Sequence, residues 1–421
     1  MTPEQLQAEL EKCVRCGRCL SVCPIYKLTG WEGSVARGKL SLLRAELSGE
    51  ADLGRRMKDL LSHCLLCGAC TETCASEVQG DALIQAGRAL AMAGGGLTRL
   101  RSLLLRDLLS RGPLAQGLQK GRGLMLKNVP PESGLHFRFP VPGLERERWL
   151  PSLADRTFLE DSRSRDVRPG AGPRVALFVG CVSNYMRPQM AQSALRLLEA
   201  AGAQVLIPQA QVCCGKPAAG AGDEETVMYL ARKNVAAFQP EDFDYITTFC
   251  ATCSEELKEY GRWPDLKGGP DLAARVRDLN DLLVNILDWR PETAHLDESL
   301  ENCRVFYHDP CHLRRKQGIF REPRALIRAL PGVTLVGEDD PPVCCGYGGF
   351  FNLWHYPLSQ ALFKERVDRL AVHRPDLVVT TCSGCWLQFE DGVRSLGRPF
   401  SVSPLVELLA RRGLPAPAGE S

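Results

Sequence analysis

The stretches VCCGKPAAGAG (residues 212–222) and VCCGYGGFFN (residues 343–352) each set two adjacent cysteines between a valine and a glycine, 131 positions apart. The residues around them repeat as well. RVALFVGC (174–181), AQVLIPQAQVCCG (203–215) and FDYITTFCATC (243–253) are followed later by CRVFYHDPC (303–311), GVTLVGEDDPPVCCG (332–346) and PDLVVTTCSGC (375–385). The first set spaces its cysteines C-x31-CC-x35-C-x2-C, at Cys181, Cys213, Cys214, Cys250 and Cys253. The second spaces them C-x32-CC-x36-C-x2-C, at Cys311, Cys344, Cys345, Cys382 and Cys385. Equal order with intervals one residue apart reads as an internal duplication. In each unit an apolar β-branched run precedes the cysteines, which predicts buried parallel strands with thiols at or just beyond their carboxyl ends. In open α/β sheets ligands gather at those ends.

A different pattern occupies the N-terminus. Cys13, Cys16, Cys19 and Cys23 in CVRCGRCLSVCP follow C-x2-C-x2-C-x3-C-P, and Cys64, Cys67, Cys70 and Cys74 in CLLCGACTETCA repeat it with Ala75 in place of the proline. This spacing suits [4Fe–4S] clusters: three thiolates on a tight loop cap one cube, and the fourth reaches to the other. With that crossover, one cluster takes Cys13, Cys16, Cys19 and Cys74, and the other takes Cys64, Cys67, Cys70 and Cys23. Gly17 and Gly68 are expected to let each loop bend back on its sulfurs. Structural zinc prefers two separated C-x2-C pairs and fits these runs poorly. Between the runs, LLRAEL and LGRRMKDLLSHC carry helical periodicity, so the region is expected to be all helical.

The chain has 421 residues and 19 cysteines, and its 52 Lys+Arg against 50 Asp+Glu give a net charge of +2. Such balance gives no support for a nucleic-acid partner. The start, MTPEQLQAELEKC, has no apolar core of a secretory signal, and no apolar run approaches the roughly 18 residues that span a bilayer. A cytoplasmic location is expected, with any membrane contact peripheral on the inner face. In a reducing compartment cysteine clusters bind metal or carry redox chemistry more often than they form disulfides. Eighteen of the 19 fall into the four sets, and only Cys303 is spare.

The expected organisation is α+β multidomain: a helical ferredoxin domain (1–95), an amphipathic helix and connector (96–172), and two duplicated Rossmann-like α/β domains (173–300 and 301–421). In the connector Leu97, Leu100, Leu103, Leu104 and Leu108 recur at helical spacing among Arg99, Arg101, Arg106 and Arg111. That helix is expected to pack on a neighbouring domain, the sharper reading being a face for a membrane or a partner. Beyond Gly112-Pro113 the composition reads as connector over the surface. His308 and His312 flank Cys311 and are expected to hydrogen-bond backbone and shape the site entrance, with proton donation as the alternative. Gly215, Gly346, Gly348 and Gly349 are expected to allow close backbone approach to a cluster. Tyr347, Phe350, Phe351 and Trp354 are expected in the core. No G-x-G-x-x-G follows a strand, so no flavin or nicotinamide site is visible.

These motifs resemble the iron–sulfur subunits of glycolate oxidase. The resemblance rests on the two N-terminal cysteine runs, the stretch IYKLTGWEGSVARGKLSLLR (25–44), the two five-cysteine CCG units and YHDPCHL (307–313). Related CCG domains occur in heterodisulfide reductase, lactate-utilisation proteins and the iron–sulfur subunits of anaerobic glycerol-3-phosphate dehydrogenase. CCGYGG (344–349) is closer to the lactate-utilisation form, which leaves glycolate and D-lactate both open. The resemblance implies two [4Fe–4S] clusters in the helical domain and two more, noncubane or cubane, at the CCG cysteines. It also implies FAD only in a partner dehydrogenase subunit, and a quinone or another carrier as electron acceptor. Two other readings stay open. In one the CCG sites themselves perform thiol–disulfide chemistry; in the other zinc or nothing fills a CCG site and the second half only docks a partner.

Overall fold

A computed structural model describes residues 3–52, 54–92, 96–121, 133–135, 148–161, 171–239, 242–291 and 302–414. The duplicated segments each form a four-stranded, all-parallel sheet. The first runs β2-β1-β3-β4, with β1 Arg174–Leu177, β2 Gln204–Leu206, β3 Tyr245–Thr248 and β4 Val276–Asp278. The second runs β6-β5-β7-β8, with β5 Cys303–His308, β6 Val333–Val336, β7 Leu377–Thr380 and β8 Ser401–Pro404. Registers match as the sequence repeat predicts: Val175 opposes Val205 and Tyr245, and Val305 opposes Leu335 and Leu377. The order reverses around β1 and β5, so the chain leaves the sheet at a topological switch point in each unit. Cys181 and Cys311 open the helices that follow those two strands, and Cys250 and Cys382 stand just before the helices after β3 and β7.

The fourth strand of each sheet is not evident from sequence. β4 is only VRD within ARVRDLNDLL, whose charges and leucines read as helix, and β8 is the short SVSP. Neighbouring strands override that local preference.

One apolar core joins the sheets. Val175, Leu177, Leu198, Val305, Val379 and Leu405 belong to the same buried cluster. The helix Pro188–Ala200 packs against Leu405–Arg412, and Arg187 meets Glu407 through two bonds of 2.6 Å.

The N-terminal region is helical, with no strand among the described residues of 3–92. Its helices include α1 Pro3–Glu11, α2 Arg18–Val22, α3 Pro24–Thr29, α4 Ala36–Leu47, α5 Gly54–Ser62, α6 Ala69–Glu72 and α7 Gly80–Met92. Leu6, Leu10, Leu40, Leu43, Leu61, Leu83 and Ile84 form its core. A second cluster ties it to the second sheet unit, with Ile25, Leu65 and Cys67 packed on Cys344, Phe351 and Leu362.

Helix α8, Gly96–Leu109, packs on the first sheet unit, but not through the stripe that the leucine spacing suggests. Ser102 Oγ donates to Asp223 at 2.5 Å, Arg106 pairs with Glu225 at 2.7 Å, and Leu105 and Leu109 join the apolar clusters there. Leu100, Leu103, Leu104 and Leu108 instead face outward, 42–56% exposed. Periodicity finds the helix and its apolar residues, whereas Ser102 and Arg106 decide which face is buried. The side chain of Leu97 and the expected connector at 122–132, 136–147 and 162–170 lie outside the described residues. The aromatic group also divides: Phe351 is buried at 2% exposure, while Trp354 is 49% exposed and stacks on Phe350, with centroids 5.1 Å apart.

Candidate metal centres

The two N-terminal loops share an unusual backbone. Arg15 and Leu66 take φ of 57° and 52°, and the glycines two positions later, Gly17 and Gly68, take 84° and 73°. Side chains with a Cβ rarely adopt that region, so two matched left-handed residues per loop mark a backbone held for a purpose. In the second loop Leu66 N–H donates to Cys64 Sγ at 3.4 Å, and past that loop Val78 N–H donates to Cys74 Sγ at 3.4 Å.

The thiols of the two runs influence one another both within and between the loops. Burial raises the Cys13 pKa, and the next contributions come from Cys74 and Cys16. Cys23 sits by the other loop: burial pushes it up to about 11, hydrogen bonding from Tyr26 opposes, and Cys64 and Cys67 add to the rise. Cys70 is raised first by burial, then by Cys64 and Cys67. Cys16 is exposed, so this end of the thiol array meets solvent.

Two buried cations beside the second set escape a sequence reading. Lys39 is fully buried, with Nζ donating to Gly33 O at 2.8 Å. Burial lowers its pKa, and the nearby Cys64 and Cys23 oppose that shift. Arg88 is 7% exposed and gives Nη2 to the carbonyls of Leu61, Ser62 and Cys64 at 2.8, 3.3 and 2.6 Å. A buried cation is costly unless paired, so these two are fitted to a strongly anionic neighbour. Their signal in the sequence is a charged residue on the apolar stripe of a helix: Lys39 beside Leu40 and Leu43, and Arg88 beside Ile84 and Gly87.

Each sheet unit gathers five thiols. In the first, Cys181 and Cys214 neighbour Cys213, and Cys214 and Cys250 neighbour Cys253. In the second, Cys311 and Cys345 neighbour Cys344, Cys345 and Cys385 lie 3.2 Å apart, and Cys385 neighbours Cys382. Gly215 and Gly346, just after the paired cysteines, take φ of 99° and 91°. All 19 cysteines are free of disulfides, and all but Cys303 lie in the four sets. Cys303 is buried at the start of β5.

The sets join end to end, which spacing did not reveal. Hydrogen bonding from Cys344 pulls Cys67 down to about 6 against burial, with Arg315 assisting. Cys382 and Cys250 neighbour each other in one buried cluster, so the two five-cysteine sets meet across the pseudo-repeat. Thr252 Oγ1 stands at that junction, 3.1 Å from both Cys382 Sγ and His312 Nδ1.

The histidines do not bond backbone as expected. His312 meets the Thr252 hydroxyl, and burial lowers its pKa. His308 is 1% exposed, and neither ring nitrogen has a hydrogen-bond partner. Its nearest ligand atom and the sulfurs of Cys345 and Cys385 lie within 4.8 Å of one another. The corresponding position of the first unit is Phe178, so the two sites differ chemically there.

The donor chemistry fits iron–sulfur clusters: sulfur-only sets in the helical region, five thiols per sheet unit where zinc takes four ligands, and buried cations to offset the charge. Together the helices, sheets and thiols define an iron–sulfur protein built from one dicluster domain and two cysteine-rich α/β domains. Family comparison agrees: a 4Fe-4S dicluster domain matches residues 9–78, and a cysteine-rich domain matches 175–258 and 305–390. The chain belongs to the family that joins a 4Fe-4S dicluster domain to cysteine-rich domains, and its relatives include glycolate oxidase iron–sulfur subunits and lactate utilization proteins.

The probable glycolate oxidase iron-sulfur subunit of Bacillus subtilis is 28% identical over 93% of this chain and 90% of its own length. Lactate utilization protein A of Geobacillus kaustophilus is 30% identical over 57% of this chain and 99% of its own. One of the fumarate reductase (CoM/CoB) subunits of Methanothermobacter marburgensis is 29% identical over 97% of this chain and 73% of its own. Among the described residues, no helix is long and apolar enough to cross a membrane.

Proposed function

We propose that this chain is the electron-carrying subunit of a flavin-dependent 2-hydroxy-acid dehydrogenase of the glycolate or D-lactate type. The observation that carries the reading is the succession of thiols from Cys23 and Cys64, through the Cys67–Cys344 and Cys382–Cys250 neighbours, to Cys181. The proposed ligand sets are Cys13, Cys16, Cys19 and Cys74; Cys23, Cys64, Cys67 and Cys70; and the five cysteines of each sheet unit. Clusters held there supply one-electron transfer. The chain's own contribution is placement. The second left-handed loop gives an amide to sulfur, Lys39 and Arg88 offset buried negative charge, and the sheet switch points bring the thiols of each unit to one place. Oxidation of the hydroxy acid falls to a partner subunit carrying FAD, with electrons leaving to a quinone or other carrier.

The test is anaerobic mixing of this chain with its flavoprotein partner and glycolate or D-lactate. The expected result is bleaching of the iron–sulfur absorption only when partner and hydroxy acid are both present. No bleaching with either acid contradicts the reading.

A second reading, disulfide reduction at the cysteine-rich sites, is favoured by one feature. The buried, unpartnered His308 beside Cys345 and Cys385 has the chemistry of a proton donor to a leaving thiolate. Such a step takes one disulfide, two electrons and two protons to two thiols.

A further inference from the structure

A cavity of about 900 Å³ opens between α5, α7, α8 and the turn at residues 350–355, and none of the thiol sets lies in its lining. One wall is apolar, made by Leu104 and Leu108 of α8 facing Phe350, Leu353 and Trp354. Trp354 and Phe350 stack nearly parallel, at 13°, and Trp354 presents half of its surface outward. Leu100 continues the leucine stripe one helical turn from Leu104 and is 54% exposed, so an apolar track leads out of the cavity.

The opposite wall is polar. Ser62 Oγ and His355 Nε2 lie 2.8 Å apart, and Lys58 and Arg101 also line the space. Arg88 forms part of this wall, and its guanidinium touches the Cys64 carbonyl at 2.6 Å. A ligand here therefore sits one side chain from the second thiol set.

We propose that this cavity binds a quinone, a planar lipophilic carrier with two carbonyl oxygens. The inference deepens the electron-carrying reading above and rests on it. A volume of this size suits a drug-sized ligand, and mostly apolar walls with a few convergent polar groups are the usual make-up of such sites. The stacked rings offer a flat face, the Lys58 and Arg101 cations in the lining suit carbonyl oxygens, and the leucine track suits an isoprenoid tail. A nucleotide fits less well, because no glycine-rich loop after a strand faces this space to hold its phosphates. Reduction there adds two electrons from the thiol-held centres and two protons from solvent to the two carbonyl oxygens, giving the hydroquinone with no other bond broken.

The test is a tryptophan-fluorescence titration of the oxidised full chain with decylubiquinone, whose fully substituted ring does not add to thiols. Saturable quenching is expected, with Leu104→Glu and Leu353→Arg each weakening binding at least tenfold while iron per chain stays at the wild-type value. Both positions are partly exposed, at 44% and 38%, so a charge there alters the cavity more than the core. Non-saturating quenching, or equal binding by wild type and both variants, overturns the proposal. The titration reads the cavity whether or not the clusters are loaded. A chain short of iron would contradict the electron-carrying reading and leave the binding result standing.

Discussion

Cys67 and Cys344 share one buried cluster, with Cys344 the largest influence on the Cys67 thiol, so the helical domain and the second sheet unit meet at their cysteines. Around this contact Arg315 Nε donates to Glu72 at 2.8 Å and Lys316 pairs with Asp81. Arg315→Glu sets two carboxylates against each other at the junction. The Arg315 side chain is 9% exposed and also donates to Pro342 O at 2.6 Å, so a carboxylate there is expected to cost about 3–5 kcal/mol. The expected outcome is unchanged iron per chain with weakened magnetic coupling between the two halves, read by EPR of the partly reduced protein. Unaltered coupling would show that this contact does not set the path.

The ligand sets make a sharper prediction. Cys382→Ser is expected to remove about four iron atoms per chain, one cluster's worth, and leave the signals of the helical domain intact. Cys303→Ser is expected to remove none, since Cys303 lies at the far, amino-terminal end of β5 from Cys311. Iron analysis of the two variants side by side checks both; equal loss in each would break the assignment.

How much of this was legible beforehand follows from what is local in sequence. The glycine turns and the duplicated sheets follow from short-range spacing, and Gly17, Gly68, Val175 and Val305 stand where that spacing puts them. What escaped depends on docking between segments far apart. No local pattern tells that Cys67 meets Cys344, or that Cys250 meets Cys382. The outward turn of Leu100, Leu104 and Leu108 is set by Asp223 and Glu225, more than a hundred residues away. β4 was hidden because VRD sits among charges and leucines that read as helix, and β8 because the serines of SVSP interrupt its apolar run.

His308 offers a test by symmetry. Its ring packs on Phe389 with centroids 4.9 Å apart, and its nitrogens are buried without hydrogen bonds. His308→Phe copies the residue of the first unit, Phe178. Removing an unsatisfied buried polar group is expected to gain about 1 kcal/mol. Iron content should be unchanged, because five thiols remain. Loss of iron in this variant would make His308 a ligand, and loss of stability would show a bond that its surroundings supply.

A buried charge group near the first CCG pair predicts a pH dependence. Lys216 pairs with Glu255 and lies 3.2 Å from Glu256, all three nearly inaccessible. Burial raises Glu256 from 4.5 to about 8, with Lys216 opposing and Glu255 adding to the rise. The folded chain therefore binds this proton more tightly than the unfolded one, and stability from it is full below pH 4.5 and lost as pH climbs to about 8. Glu256→Gln cannot titrate. Its stability relative to wild type is expected to rise by on the order of 3 kcal/mol between pH 5 and 8, read from unfolding midpoints across that range. A flat difference would place the proton elsewhere in the triad. Lys216→Met should be far more damaging, by about 3–5 kcal/mol, since it strands the buried Glu255 carboxylate.

The central claim is that all four thiol sets hold iron–sulfur clusters, and metal analysis with EPR on anaerobically purified protein tests it most directly. The account predicts about sixteen iron per chain, a similar amount of acid-labile sulfide, and no zinc, with EPR signals beyond those of a two-cluster ferredoxin. About eight iron, with zinc or vacancy in the sheet units, would contradict it and reduce the second half of the chain to a docking module.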